Sequence, residues 1–219
     1  MSCPGVVVFQ IERFLLRLQV EALSTKLKGL GINLGAGPIR RYEDLLLGRE
    51  IVNIDINPSY RPEMVADAQK LPIKDNSVNF VLCTQVLGDV ENPLEPIFEI
   101  RRVLKPGGYL LLTEAQTCEE HDQPLDFWRF TKYGLEKLCE KGGLRVVEVL
   151  QRGGFYSTIT QLIIRYLIDK LNLYNRRSLA KLFNKVFRLI GRFTMKLDYL
   201  DQSFPNKRHA LGWCLLAQK

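Results

Sequence analysis

The sequence predicts an α/β fold: a doubly wound, mostly parallel seven-stranded sheet with a helical insertion before its last strand. Three observations predict it. Short, continuous apolar runs alternate with helical patterns from about residue 30 to residue 150, as strands buried on both faces of a parallel sheet require. The first of these runs leads straight into two glycines spaced two apart, Gly35 and Gly37. A last strand-like run, "ALGWCLLAQ", stands beyond a long helical stretch and closes the chain.

The elements follow in order. An amphipathic helical pattern covers about Val6 to Lys28 and breaks at Gly29. Gly31 to Leu34 reads as a short buried strand, and Ile39 to Leu47 as a helix closed by Gly48. "EIVNIDI" (Glu50 to Ile56), "MVADA" (Met64 to Ala68) and "NFVLCT" (Asn79 to Thr84) read as the second, third and fourth strands. Pro93 to Leu104 is helical and stops at Pro106 and Gly107. "YLLLTE" (Tyr109 to Glu114) is the fifth strand, Thr131 to Lys141 a helix, and Leu144 to Leu150 the sixth strand.

Composition narrows the class. The chain has 219 residues, 46% hydrophobic and 25% charged, which suits one globular domain with an elaboration. Five scattered cysteines, none spaced as CxxC, argue against a disulfide framework and a structural zinc site. No apolar run approaches the roughly 18 to 20 residues that span a bilayer, and "VVVF" near the start lacks the basic lead-in of a signal peptide. A reduced, cytoplasmic protein is expected. The net charge of +7 is unevenly placed. Residues 30–154 hold 15 Lys and Arg against 19 Asp and Glu, whereas residues 155–205 hold 9 against 3. The expected organisation is an N-terminal helical segment (1–29), the sheet core (30–154), a basic helical cap (155–205) and the last strand of the core (206–219). An acidic core does not suit a grip on nucleic acid.

A glycine loop after the first strand lets backbone approach a nucleotide-like cofactor, and an acidic residue ending the second strand can take ribose hydroxyls. Asp55 lies 20 residues after Gly35 and fills that place in a Rossmann-like sheet. The third glycine of a dinucleotide fingerprint is missing, since Arg40 stands there, and no Lys-Ser or Lys-Thr follows as in a P-loop.

The stretch "INLGAGP…VNIDINP…VADAQKLPIKDNSVNFVLCTQVL…RRVLKPGGYLLLTE" resembles the class I S-adenosylmethionine-dependent methyltransferases of the type 11 family, over about Gly31 to Glu114. The resemblance implies S-adenosyl-L-methionine as cofactor. It puts Gly35, Ala36 and Gly37 against the methionine part, Asp55 at the ribose, Asp67 and Ala68 at adenine, and the segment Cys83 to Leu87, with Thr84 and Gln85, in the pocket under the sulfonium; Asn33 and Ile56 complete the cofactor-binding set. A helix N-terminus after Gly37 would receive the amino-acid carboxylate, helped by its partial positive charge. Two departures from the family pattern, Asn79 and "LGDV" (Leu87 to Val90), lie beside the pocket and bear on the acceptor.

After the fifth strand, "HDQPLDFWRFTKYGLEKL" (His121 to Leu138) is similar to a segment that many type 11 enzymes carry, and it should overhang the transferred methyl. His121 has the intrinsic pKa of a general base, with Asp122, Trp128 and Arg129 as candidate substrate contacts. Asp126, Trp128, Arg129 and Phe130 can equally brace the loop. No metal is expected.

Further on, apolar residues from Leu179 to Leu197 fall on a helical stripe, with Lys181, Lys185, Arg188, Arg192 and Lys196 on the opposite face. Such a helix can be a substrate lid or a peripheral contact with an anionic membrane. The expected activity is methyl transfer to an O or N atom of a small molecule, a glycan or a lipid-linked intermediate. The alternatives are a cofactor-binding protein without catalysis, suggested by the altered "LGDV", and an RNA methyltransferase.

Overall fold

The computed structural model describes residues 8–40 and 42–219. The elements are α1 (Ile11–Ser24), β1 (Gly31–Leu34), β2 (Ile51–Asp55), β3 (Met64–Val65), β4 (Val78–Thr84), α2 (Leu94–Val103), β5 (Leu104–Ala115), α3 (Lys132–Lys141), β6 (Arg145–Arg152), α4 (Phe155–Lys170), α5 (Arg177–Leu200), a one-turn α6 (Phe204–Lys207) and β7 (Gly212–Gln218). Val6 and Val7, at the start of the expected first helix, lie outside the described residues.

All seven strands form one sheet in the order β3-β2-β1-β4-β5-β7-β6. The pairs β1–β2, β1–β4, β2–β3 and β4–β5 are parallel, and β7 runs antiparallel to β5. The strand order reverses between β1 and β4. That reversal leaves a crevice at the carboxyl ends of the strands, where ligands of open α/β sheets bind. β1 and β4 consist of nearly continuous buried residues because both are interior strands covered on both faces.

Two expected elements differ. Among the described residues of 39–47 there is no α-helix; a four-residue 3-10 turn, Glu43–Leu46, stands there. Arg40 has φ +48°, a left-handed conformation that an α-helix cannot contain, so no helix can run through it from Ile39. The third strand also stops at Val65. Two residues further, Asp67 Oδ1 accepts from the Gln69 backbone N–H at 2.8 Å and turns the chain.

The chain divides into two compact units. One contains Leu18–Gln116, Glu120–Leu150 and Gly212–Lys219; the other contains the described residues up to Arg17, Thr117–Glu119 and Gln151–Leu211. The first helical segment is therefore shared between the units rather than standing apart as residues 1–29.

The sheet unit is built on a core in which Ile97, Ile100 and Val103 of α2 and Leu135 and Cys139 of α3 are fully buried against the strands. Each such aliphatic side chain contributes about 1.5 to 3 kcal/mol by leaving water. The helical unit has its own core, with Ile11 of α1, Ile164 and Ile168 of α4, and Ala180 and Phe187 of α5. Here α4 begins on a cap supplied from afar. Asp198 accepts from the backbone N–H groups of Gly154, Tyr156 and Ser157 at 2.9 to 3.0 Å, and Asn206 Oδ1 accepts from Phe155 at 2.7 Å. Four N–H groups that a helix start leaves orphaned are satisfied this way.

Candidate functional site

The site is built at the carboxyl ends of β1, β2, β4 and β5, which the register aligns: Leu34 pairs with Ile54 and with Cys83, and Thr84 with Thr113. Three loops leave β1, β2 and β4 there, and the segment from His121 follows β5.

The first loop is glycine-dependent in two different ways. Gly35 (φ +67°) presses on β4's loop, so that a Cβ there would lie 2.3 Å from Val86 Cγ2. Gly37 (φ +64°) has nothing within 4 Å of a Cβ position. One glycine is needed for close packing; the other faces open space on the crevice side. Gly35→Ala is therefore expected to lower thermal stability sharply, through the clash plus about 1 to 2 kcal/mol of left-handed strain. Gly37→Ala should cost only that strain while lowering S-adenosylhomocysteine affinity out of proportion. Thermal melts and calorimetry check both. A Gly37→Ala protein that binds like the parent would show that the open face holds nothing.

Asp55 ends β2, 8% exposed, and its carboxylate ties the crevice together. Its Oδ2 accepts from Gly37 N–H and its Oδ1 from Asn57 N–H, both at 2.9 Å. About two of its four lone-pair positions stay open for further donors. Beside it Ile56 is 67% exposed, an apolar side chain offered to solvent or to a ring. Asp67 and Ala68 follow β3 and are half-buried. Thr84 ends β4. Gln85 follows it with φ +57°, its N–H held by the Thr113 carbonyl at 2.8 Å. A strained non-glycine residue at the strand-order reversal is the kind of outlier that functional sites keep.

Asn33 is engaged elsewhere. Its amide donates to Asn53 Oδ1 at 2.8 Å, and Asn53 in turn donates to Glu43 Oε1 at 2.9 Å, a polar chain that runs from the buried Asn33–Asn53 pair to the exposed Glu43 of the 3-10 turn. Because no helix starts after Gly37, a helix dipole contributes nothing at that loop.

The segment after β5 is stitched onto the loop after β4. Gly88's carbonyl accepts from the N–H groups of Phe127 (2.8 Å) and Trp128 (3.1 Å), and the Trp128 indole donates to the Val90 carbonyl at 3.0 Å. Trp128 is thereby a clamp. Arg129 donates to both oxygens of Asp126 at 2.6 and 2.8 Å, and Asp126 accepts from the His121 backbone N–H at 2.9 Å. The Arg129 guanidinium, with these hydrogen bonds, holds the Asp126 carboxyl far below the usual carboxylate range. Asp126 and Arg129 therefore brace the loop, and Asp122 lies exposed on it.

The His121 ring is set between two carboxylates, with Nδ1 3.5 Å from Asp126 Oδ2 and Nε2 3.8 Å from Asp89 Oδ1. Asp89, in the "LGDV" turn, is pushed up to about 6, first by desolvation. Beneath the same turn Glu114, at the end of β5, is pushed up to about 7 by complete burial. Its Oε1 accepts from Val86 N–H (3.0 Å) and Leu87 N–H (2.8 Å). Neither acid stands out in the sequence; the one signal for Asp89 is that it sits in the segment departing from the family pattern. An open cleft of about 460 Å³ lined by Phe98, Arg101, Arg102, Lys141 and Lys219 lies at the opposite, amino ends of the strands, and has no part in this arrangement.

The open face at Gly37, the spare acceptors of Asp55 and the exposed Ile56 fit a small nucleoside-bearing cofactor without a pyrophosphate. The comparisons with known proteins agree. Residues 32–112 match the family of methyltransferase domains of type 11. An uncharacterised protein of Methanocaldococcus jannaschii is 27% identical over 75% of this chain and 83% of its own length. A thiol S-methyltransferase of Rattus norvegicus is 29% identical over 43% of this chain, which spans 46% of that relative's length. Among solved structures, the [4+2]-cyclase SpnF superposes with a TM-score of 0.62 at 19% identity, covering 94% of this chain and 80% of its own. An S-adenosylmethionine-dependent methyltransferase from Archaeoglobus fulgidus superposes at 0.61 and 12% identity, covering 94% of both chains. The sheet order and the glycine loop are thus those of the Rossmann-like methyltransferase fold, and residues 32–112 within it match the type 11 methyltransferase domain, which implies S-adenosyl-L-methionine as the cofactor.

Proposed function

We propose that the acceptor is an O–H or N–H group of a small molecule, a glycan or a lipid-linked intermediate, and that His121 takes the acceptor's proton. The observation that carries this reading is the imidazole held between Asp126 and Asp89 on a loop clamped at Gly88.

The bound cofactor supplies a methyl group on a positively charged sulfur, transferred in line to a nucleophile. The chain's own residues do the rest. Gly35, Ala36 and Gly37 with Asp55 form the cofactor's cradle, and Ile56, Asp67 and Ala68 flank its base. Thr84 and Gln85 line the crevice floor. Trp128 and Arg129 fix the loop over the acceptor. Asp126 Oδ2, 3.5 Å from His121 Nδ1, orients the ring, and Nε2 is the nitrogen turned to the acceptor. Asp89, with its affinity for protons raised by desolvation, faces that same nitrogen at 3.8 Å.

Methyl-labelled cofactor incubated with fractionated cell extract identifies the acceptor fraction. With that fraction, His121→Ala should lower turnover about 10²- to 10⁴-fold and leave S-adenosylhomocysteine affinity nearly unchanged. Asp89→Asn should shift the acid limb of the pH–rate profile, which lies near pH 6 if the Asp89 proton must be absent. A His121→Ala protein at full rate at every pH eliminates the base. The similarity to a thiol S-methyltransferase favours one second reading, a thiol acceptor. A thiol has a pKa of about 8.5 and ionises without a strong base, so there His121→Ala would keep most of its turnover. Cofactor binding without label transfer to any fraction would instead indicate a protein that holds the cofactor and does no chemistry.

A further inference from the structure

The basic helix of the sequence does not divide into one packed apolar face and one solvated charged face. α5 packs through Ala180, Phe187, Gly191 and Thr194, which are buried. Leu182, Val186, Leu189, Ile190 and Phe193 form a second apolar ridge that is 43% to 72% exposed. At about 100° per residue this ridge points away from the packed face. Lys181, Lys185, Arg188, Arg192 and Lys196 run along its flank, about a quarter-turn round the helix. Among the described residues none of these five cations has a carboxylate partner, and the helix's one acid, Asp198, is spent capping α4. α4 repeats the pattern, with Ile159, Leu162, Ile163 and Tyr166 exposed at i, i+3, i+4 and i+7. No described helix is long and apolar enough to cross a membrane.

We infer that the helical unit docks on an anionic lipid surface, the α5 ridge entering the headgroup boundary and its row of cations meeting lipid phosphates and carboxylates. An aliphatic ridge beside unneutralised cations matches the two halves of such a surface. A second copy of the chain would set cation against cation. Nucleic acid would use the cations and leave the ridge wet, since only Phe193 of the five could stack on a base. The inference does not rest on the acceptor reading, because vesicle binding needs neither acceptor nor cofactor; where it holds, the lipid-linked class of acceptor gains weight.

Sedimentation of the full chain with vesicles tests it. Each cation near an anionic surface multiplies binding about fivefold, so phosphatidylserine-containing vesicles should retain at least tenfold more protein than phosphatidylcholine alone. The triple variant Lys181→Glu, Lys185→Glu and Arg188→Glu should lose that preference. The double variant Leu189→Ser and Phe193→Ser alters only exposed positions and so leaves folding intact. It should bind phosphatidylserine vesicles at low salt and release at moderate salt, where the parent stays bound by its inserted ridge. Equal retention on both vesicle types, no retention on either, or a double variant as salt-resistant as the parent would overturn it. So would retention on polyuridylate as strong as on the anionic vesicles and indifferent to the ridge substitutions, which would assign the surface to nucleic acid.

Discussion

Asp55→Ala is expected to weaken S-adenosylhomocysteine binding by at least tenfold and to loosen the glycine loop at the same time. The carboxylate is doubly used. It already holds the N–H groups of Gly37 and Asn57, and it is the acceptor offered to the ribose hydroxyls. Hydrogen bonds to a charged group are worth about 1.5 to 3 kcal/mol each, and tenfold in affinity is about 1.4 kcal/mol, so losing one ribose bond suffices. Truncation also leaves two backbone donors unpaired beside a residue that is nearly buried. Asp55→Asn separates the two roles, because the amide oxygen can still accept one loop N–H while the charge is gone. Calorimetry should rank the parent first, Asp55→Asn second and Asp55→Ala last. Unchanged affinity in Asp55→Ala, or tight binding of a dinucleotide in its place, would remove Asp55 from the site.

Glu114 should make the protein less stable as pH rises through the weakly acidic range. Its carboxyl keeps a proton to about pH 7 in the folded state, against 4.5 in its absence of structure. Between those values Glu114 binds more protons in the folded chain than in the unfolded one, so its contribution to stability is full below about 4.5 and falls towards 7. One pKa unit corresponds to about 1.4 kcal/mol, which gives a loss on the order of 3 kcal/mol across the window. Asp89, raised to about 6, adds a decline of the same sign, reduced by solvent because its side chain is 37% exposed. Glu114→Gln stays neutral and retains a carbonyl acceptor for Val86 and Leu87. Denaturant unfolding at several pH values should therefore show most of the slope in the parent and little in Glu114→Gln. Equal slopes would place the titration elsewhere.

Much of this arrangement is legible in the sequence. The strands announce themselves because interior parallel strands must be apolar on both faces, and β1 and β4 are. The spacing from Gly35 to Asp55 likewise marks β2's end as the partner of the first loop. The helix expected after Gly37 failed for a local reason: "RRYEDLLLG" has a helical look, but Arg40 adopts a left-handed conformation, and no pattern of apolar residues reports that. Asp89 and Glu114 do not stand out in the sequence because their properties come from desolvation at the "LGDV" turn, and desolvation is a tertiary quantity. The apolar stripe of α5 was visible, yet periodicity cannot say which part of a wide stripe is covered. Only packing separates Phe187, buried, from Leu189, which is 72% exposed.

The place of β7 in the sheet carries a consequence for how the chain comes off the ribosome. It lies between β5 and β6, and yet its residues, 212–218, are made after all the other strands. β5 is thus exposed along one edge, and β6 has no neighbour, for the whole time that α4 and α5 are being synthesised. The helical unit, whose chain is complete at Leu211, can gather its core and receive the Asp198 cap while the sheet still waits for its missing strand. Nascent chains stalled just short of β7 should therefore display a protected helical unit beside an open sheet edge that a chaperone could cover.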